Sequence, residues 1–563
     1  MAEQSTIHLA GKVAIIGAAE HPHAARRLHE AFPAIGWYPA TANEAPAEVP
    51  VVRLRRDAAL PEGAFALTVD DDAPRPTIEI AGGPFSGVIY GVEELVQRRA
   101  VAAGRGANVQ AGTVEQAPGL PYRTFWNWDH STNWDTEQIG SQEIGVMNPY
   151  GKPEDGFLAD FKRVVDFMSR NRIAAITIFG FFRDSHGGID AAQELCRYAN
   201  ERGVRILPGV AINAYGGVVW EMDHPFNLAT WLRRRPDLAA QMERPPGFQI
   251  PGLGFRLHFP RGDYSLSGCP SRPENQQWME DGIAWLAETC EIGGVNIEAG
   301  DYGVCGCPLC QARRAEREDA RRRHGYAESW SHADMADFYP RLFEAVRSRR
   351  PDAWVYSEIQ WDNLLDREAQ QPLRALPDEG IYQHTFNRPY WERVERELTR
   401  EYVERLPTRT NVFRCQFACQ WNGGRRTERY FFNGRDWMAM ARKAAETGVA
   451  GLTVWGEASP YLAATEFGYL AFARFSWDPS LTWERFVAEE LVPRLGGDAA
   501  ADHFLALTEA NDRAPSLDAD ALGRMQVEAL DASRGVEPDA GRRWLTLADR
   551  IARRRFNRST LPG

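Results

Sequence analysis

The chain has 563 residues, of which 44% are hydrophobic, 25% charged and 11% aromatic. That balance excludes intrinsic disorder, collagen-like repeats and low-complexity fibres, and the length suffices to bury at least one large core. A net charge of −12 argues against non-specific binding to nucleic acid or to an anionic membrane surface.

No run approaches the ~20 apolar residues of a membrane span. The opening Met1-Ala-Glu-Gln-Ser-Thr has no basic region followed by an apolar stretch, so a cytoplasmic location is expected. Eight cysteines are too few for a disulfide scaffold in a chain of this length.

Residues 1–118 alternate strand and helix patterns, as a small α/β domain does. Lys12-Val-Ala-Ile-Ile-Gly reads as a strand and 21–32 as a helix. Val51-Val-Arg-Leu, Ala64-Phe-Ala-Leu-Thr-Val and Thr77-Ile-Glu-Ile-Ala follow as strands, and Gly87-Val-Ile-Tyr-Gly-Val opens a helix. The polar stretch 104–118 ends the domain. Gly17-Ala-Ala-Glu lacks the glycine fingerprint of a dinucleotide site, so no nucleotide cofactor is expected.

From residue 119 the rhythm changes. Short β-rich runs at 122–128, 173–182, 204–214, 294–298, 353–359, 380–386, 411–417 and 450–455 are each followed by a helix-compatible segment. Eight such units over 119–478 predict a (β/α)8 TIM barrel with long insertions, the longest at 224–270. Residues 479–563 carry Ala, Leu, Arg and Glu at helical spacing, notably at 483–495 and 544–554. This helical C-terminal region is expected to cap the barrel and to offer a homodimer interface.

In a barrel of this kind the chemistry sits at the C-terminal ends of the strands. Strand four is Val295-Asn-Ile-Glu-Ala-Gly-Asp, and alternation puts Asn296 and Glu298 on one face. Asp301 follows in the loop. Two carboxyls this close keep one proton between them, which suits a general acid. Strand five ends Val355-Tyr-Ser-Glu-Ile-Gln-Trp, which makes Glu358 the best-placed second carboxylate. Strand eight brings Glu457 to the rim, and strand one brings Asp129 and His130. Each of these acids could equally cap the next helix.

Aromatic residues crowd the same rim, among them Trp126, Trp128, Tyr215, Trp361, Trp421 and Trp455. Their polar companions include Asn213, His384 and Gln416. Flat rings beside amide and imidazole groups suit a sugar, whose C–H face packs on an aromatic while its hydroxyls take paired hydrogen bonds. Arg123, Arg183, Arg388 and Arg414 lie near strand positions where a uronate carboxylate could bind. An oligosaccharide or glycoside is therefore the expected partner, and carboxylate chemistry requires no cofactor.

These features together resemble a glycoside hydrolase. Ile78-Glu-Ile-Ala-Gly-Gly-Pro-Phe-Ser-Gly-Val-Ile-Tyr-Gly-Val-Glu-Glu-Leu looks like the end of the small α/β domain that precedes the barrel in β-hexosaminidases and α-glucuronidases. Phe475-Ser-Trp-Asp-Pro-Ser is similar to the barrel exit of α-glucuronidases. Asn296-Ile-Glu-Ala-Gly-Asp with the cysteines around it resembles bacterial glycosidase-like proteins of largely unassigned function. The resemblance implies an exo-acting hydrolase of a terminal sugar, with the acid at the end of strand four, where Glu298 stands. β-Hexosaminidases carry an Asp-Glu dipeptide there; this chain has Glu298-Ala-Gly-Asp301.

Cys305-Gly-Cys307-Pro-Leu-Cys310 packs three thiols into six residues, and Cys269 is a plausible fourth. Four cysteines would make a structural zinc site, and three reduced thiols in a tight loop is the plainer alternative. Cys196 reads as core, and Cys415 is open to either role. Two other functions stay open: a zinc-dependent enzyme using the Cys-rich loop, and a non-catalytic carbohydrate-binding protein. The first lacks a His-x-His or His-Glu-x-x-His motif.

Overall fold

The computed structural model describes residues 5–129, 154–211, 217–220, 223–241, 267–298, 305–315, 332–359, 364–365, 370–386, 388–418, 432–456, 463–513 and 518–560. The chain divides into two compact units. One comprises Met1–Pro121, Val164–Ala174 and Arg197–Arg205; the other comprises Tyr122–Arg163, Ala175–Cys196 and Ile206–Gly563.

The first unit holds nine strands: β1 (Thr6–Ala10), β2 (Lys12–Ile16), β3 (Gly36–Ala40), β4 (Val51–Arg56), β5 (Phe65–Asp70), β6 (Thr77–Gly82), β7 (Ala100–Ala103), β8 (Gly106–Gln110) and β9 (Gly112–Gln116). Six of them form one sheet in the order β3-β2-β4-β6-β5-β9, and β1-β8-β7 form a second. Val13, Ile15, Val52, Leu54, Ile78 and Ile80 are buried on the larger sheet. The polar stretch at 104–118 carries β8 and β9. β8 pairs antiparallel with β1 and β7, and β9 pairs antiparallel with β5. β9 is an edge strand whose residues are largely exposed, so it carries little apolar alternation to announce it.

Two glycines let the end of β6 touch the helix that follows, Gly87–Glu94. A Cβ on Gly82 would lie 2.0 Å from the Val88 nitrogen, and one on Gly87 would lie 2.4 Å from the Ala64 carbonyl oxygen. The helix is held by ion pairs that satisfy its buried acids, Arg27 Nε to Glu93 Oε1 at 2.6 Å and Arg172 Nη2 to Glu94 Oε2 at 2.6 Å.

The second unit contains the barrel. Its strands are β10 (Tyr122–Trp128), β11 (Ala175–Phe179), β12 (Arg205–Ala211), β13 (Gly294–Glu298), β14 (Trp354–Ile359), β15 (Ile381–Phe386), β16 (Thr410–Ala418) and β17 (Gly451–Gly456). They close in sequence order, with β10 paired parallel to β17. Every barrel strand expected from the sequence is present, because each run is rich in β-branched and aromatic residues and is buried on both faces, as a covered parallel strand must be. Inside, Ala175, Leu207, Tyr356, Ile381 and Val412 pack with Tyr122 and Trp354. Above them Gly209 leaves room for an aromatic: a Cβ there would lie 2.2 Å from the Phe179 ring.

The described part of the insertion at 224–270 begins with the helix Leu228–Arg234, capped by Asn227, whose side-chain oxygen accepts from the Thr230 N–H at 3.0 Å. It closes through a bridge between Ala239 and Gly268. Beyond the barrel the chain is helical, as expected. Trp483–Phe486, Val487–Leu491 and Val492–Leu495 run on as one element with a π turn in the middle. Pro493 accounts for the turn, since it lacks an N–H and crowds the preceding carbonyls. Asp498–Arg513, Ala519–Arg534 and Pro538–Thr560 complete the region. Arg543 ties the last helix to the barrel helix Ala463–Trp477 by two hydrogen bonds of 2.9 Å to Glu466. Among the described residues, no helix is long and apolar enough to cross a membrane.

Candidate active site

Alternation and barrel closure together select the side chains that meet near the C-terminal strand ends. Thr124, Trp126 and Trp128 on β10 point inward, as do Asn296 and Glu298 on β13 and Tyr356 and Glu358 on β14. Opposite sides of the barrel touch: Thr124 Oγ1 and Tyr356 Oη are 2.9 Å apart, and Trp126 Nε1 donates to Glu358 Oε2 at 3.2 Å.

Glu358 is the hub of this layer and is 2% exposed. Its Oε1 lies 2.5 Å from Arg414 Nη1. Its Oε2 accepts from Asn296 Nδ2 at 3.1 Å and from Trp126. Asn296 Oδ1 in turn accepts from Gln383 Nε2. Arg414 also donates to Thr385 Oγ1 at 3.0 Å, and its guanidinium lies 4.4 Å from the Trp126 ring centroid. Arg414, Asn296 and Trp126 all present donors to Glu358, which matches the acceptor inventory of a carboxylate.

Glu298 is the last residue of β13 and is 3% exposed. It pairs in register with Glu358 on the neighbouring strand, so both carboxylates occupy one level of one face. The expectation that these two acids come together at the barrel mouth rests on this register.

The remaining candidates divide. Trp126 and Trp128 are buried and packed edge to face, with ring centroids 5.2 Å apart, against Phe179 and Trp220. Asp129 follows β10 and is fully buried; its Oδ2 lies 2.6 Å from Arg183 Nε and hydrogen-bonds His186 Nε2. Arg183 and Arg414, considered as uronate ligands, thus each face an internal carboxylate. Arg123 lies over the Trp477 ring. Gln416 and Trp455 are placed by their backbones on β16 and β17. Asp301, His130, Asn213, Tyr215, Trp361, Trp421 and Glu457 lie outside the described residues.

His384 takes the other face of β15 from Gln383, away from the carboxylate layer. Its Nε2 lies 2.8 Å from Asn411 Oδ1, on the face of β16 that also carries Cys415 and its contact to Met440. Strand alternation is the reason: neighbours in sequence point oppositely, so Gln383 and His384 cannot both reach the interior. Burial holds His384 down to about 4, and burial together with nearby arginines holds His23 down to about 3. Both are neutral in the folded chain near pH 5, where an unfolded histidine binds a proton. Folding stability should therefore fall as pH drops from about 6.5 towards 4, by about 3 kcal/mol from His384 alone. His384→Gln should flatten the decline of the unfolding midpoint between pH 7 and pH 5; an unchanged slope would remove His384 as a contributor.

The one group of metal-ligating side chains found among the described residues is Cys269, Cys305, Cys307 and Cys310, all buried, with sulfurs within 4.8 Å of one another. Glu298 is not part of it. Hydrogen bonds from Cys269, Cys305 and Ser271 hold the Cys310 thiol well below its usual range.

Arg414 serves the carboxylate layer in a way that no local pattern announces. The pattern Val412, Arg414, Gln416 places it on the inner face of β16, but only closure of the barrel brings it to Glu358. His186 was missed because it lies in a short turn, Asp184–His186, where no periodicity marks it.

No family model matches the chain, and no curated protein matches it. Solved structures do. The chain is similar to a β-N-acetylhexosaminidase from Bacteroides fragilis, with 14% identity over 87% of this chain and 92% of that one, at a TM-score of 0.54. It is similar to a chitobiase from Flavobacterium johnsoniae, with 12% identity over 99% of this chain and 93% of that one, at a TM-score of 0.53. It also resembles a GH138 enzyme targeting pectin rhamnogalacturonan II, with 11% identity over 89% of this chain and 55% of that one, at a TM-score of 0.54. At such identities the likeness is one of fold, and the fold is the TIM barrel with flanking regions expected from the sequence.

Proposed function

We propose that this chain is an exo-acting glycosidase that cleaves a terminal sugar by carboxylate acid/base catalysis at the C-terminal face of the barrel. The observation behind this reading is Glu298, an inward-facing acid on the last position of β13, level with Glu358 on β14. Barrel acids at strand ends are where this fold keeps its chemistry.

In this reading Glu298 protonates the glycosidic oxygen as the bond to the anomeric carbon breaks. As that bond breaks, a second carboxylate, Glu358 or Asp301, either attacks the carbon to form a glycosyl-enzyme ester, which water then hydrolyses with Glu298 taking the water's proton, or itself takes the proton of a water that attacks the carbon directly. Glu358 sits one strand away, in register with Glu298, and the spacing of the two carboxyl groups, short for retention and wider for inversion, decides between these roles. Its ion pair with Arg414 fixes its position but also occupies one of its oxygens. Asp301 remains the alternative for that reason.

The test is turnover of a panel of aryl α- and β-glycosides carrying neutral, N-acetylated and uronic sugars. Hydrolysis of one member is expected and names the sugar class. Failure across the panel, with sugar binding still measurable by calorimetry, would replace the hydrolase by a carbohydrate-binding protein.

A further inference from the structure

The carboxylate layer leaves unused the buried group of Cys269, Cys305, Cys307 and Cys310. We propose that these four side chains bind one structural zinc ion as thiolates. The inference is independent of the glycosidase reading.

The spacing fits. Zinc–thiolate bonds of about 2.3 Å in a tetrahedron put the sulfurs about 3.8 Å apart. Cys269 Sγ lies 3.7 Å from Cys307 Sγ and 3.6 Å from Cys310 Sγ. The chain joins the four from two places in the sequence, Cys269 at the end of the insertion before β13 and Cys305 to Cys310 after it.

The surroundings are built for negative sulfur. The Gln241 N–H donates to Cys305 Sγ at 3.2 Å, and the Cys310 N–H lies 3.5 Å from Cys307 Sγ. Ser271 Oγ lies 2.9 Å from Cys310 Sγ and itself accepts from Arg313 Nε at 3.0 Å. Donors of this kind are little use to neutral thiols. Around a zinc with four thiolates, whose net charge is −2, they offset the excess and orient the ligands. Cys307 also precedes the helix Pro308–Ala315, whose first turn favours a negative group.

The backbone that carries Cys269 is equally fixed. Asn275 Nδ2 donates to the carbonyls of Leu238 and Cys269, at 2.8 and 3.0 Å, and its Oδ1 accepts from Trp231 Nε1. Four sulfurs fill a tetrahedron and leave no open position, so the ion is structural and not a Lewis acid for substrate. Binding releases the thiol protons and ties the insertion to the chain seven residues beyond Glu298.

The test is elemental analysis of the full chain purified without metal-affinity resin and dialysed against a competing chelator. One zinc per chain is expected, kept by Cys196→Ala and reduced at least tenfold in a Cys305→Ser/Cys310→Ser double variant. Removing the ion from the wild type with an acid chelator step should lower the thermal midpoint by several degrees, and added zinc should restore it. Wild-type protein with less than a tenth of an equivalent of zinc would overturn the proposal, whether its cysteines are free or oxidised by mass. So would iron in place of zinc, or zinc retained undiminished by the double variant.

Discussion

Glu298→Gln is expected to lower kcat by about 10²–10⁴-fold on a glycoside with a poor leaving group, the usual contribution of a positioned general acid. Gln keeps the size and hydrogen-bonding reach of Glu but has no proton to give, so the fold should survive while the chemistry does not. The loss should shrink on a dinitrophenyl glycoside, whose leaving group departs as an anion without protonation. The alkaline limb of the pH–rate profile should also vanish, because that limb reports deprotonation of the acid. An equal loss on good and poor leaving groups would show that Glu298 does something other than donate a proton. Full activity would move the search to Glu358 or Asp301.

Arg414→Met should be the most destabilising change in the carboxylate layer, at about 3–5 kcal/mol, because it leaves Glu358 buried without its cation. Trp126 and Asn296 would still donate to Glu358, but both are neutral. Adding Glu358→Gln to the same chain should recover part of that loss, since the amide carries no charge to strand. The denaturation midpoints of the two single variants, the double variant and the wild type form a cycle whose coupling term reports the pair. Simple additivity would mean that Glu358 and Arg414 do not depend on each other, and that the ion pair is not what holds the layer together.

The barrel was legible because its strands are runs of β-branched and aromatic residues bounded by turn-forming ones, and because such runs alternated with helical segments. Alternation along β13 and β14 was enough to place Glu298 and Glu358 on inner faces. The same rule, applied to β15, would have sent His384 outward once Gln383 was assigned inward. β9 gives no pattern because this edge strand buries little, and β8 gives a weak one because the residues it buries are small, Gly106, Ala107 and Val109.

Local choices are written in the chain: which runs become strands, which residues share a face, and which cysteines are close in sequence. Those follow from periods of 2.0 and 3.6 residues and need no knowledge of distant partners. Tertiary structure decided the pairings between residues far apart in sequence. Arg414 meets Glu358 across 56 residues because β15 and β16 close the wall between them. Cys269 meets Cys310 across 41 residues where Gly268 pairs with Ala239 and the Gly306 N–H donates to the Gln241 carbonyl at 2.7 Å. Charge neutralisation inside a barrel and a tetrahedron of sulfurs are both properties of such closure. A periodic pattern carries faces, not partners, so no reading of one strand at a time contains them.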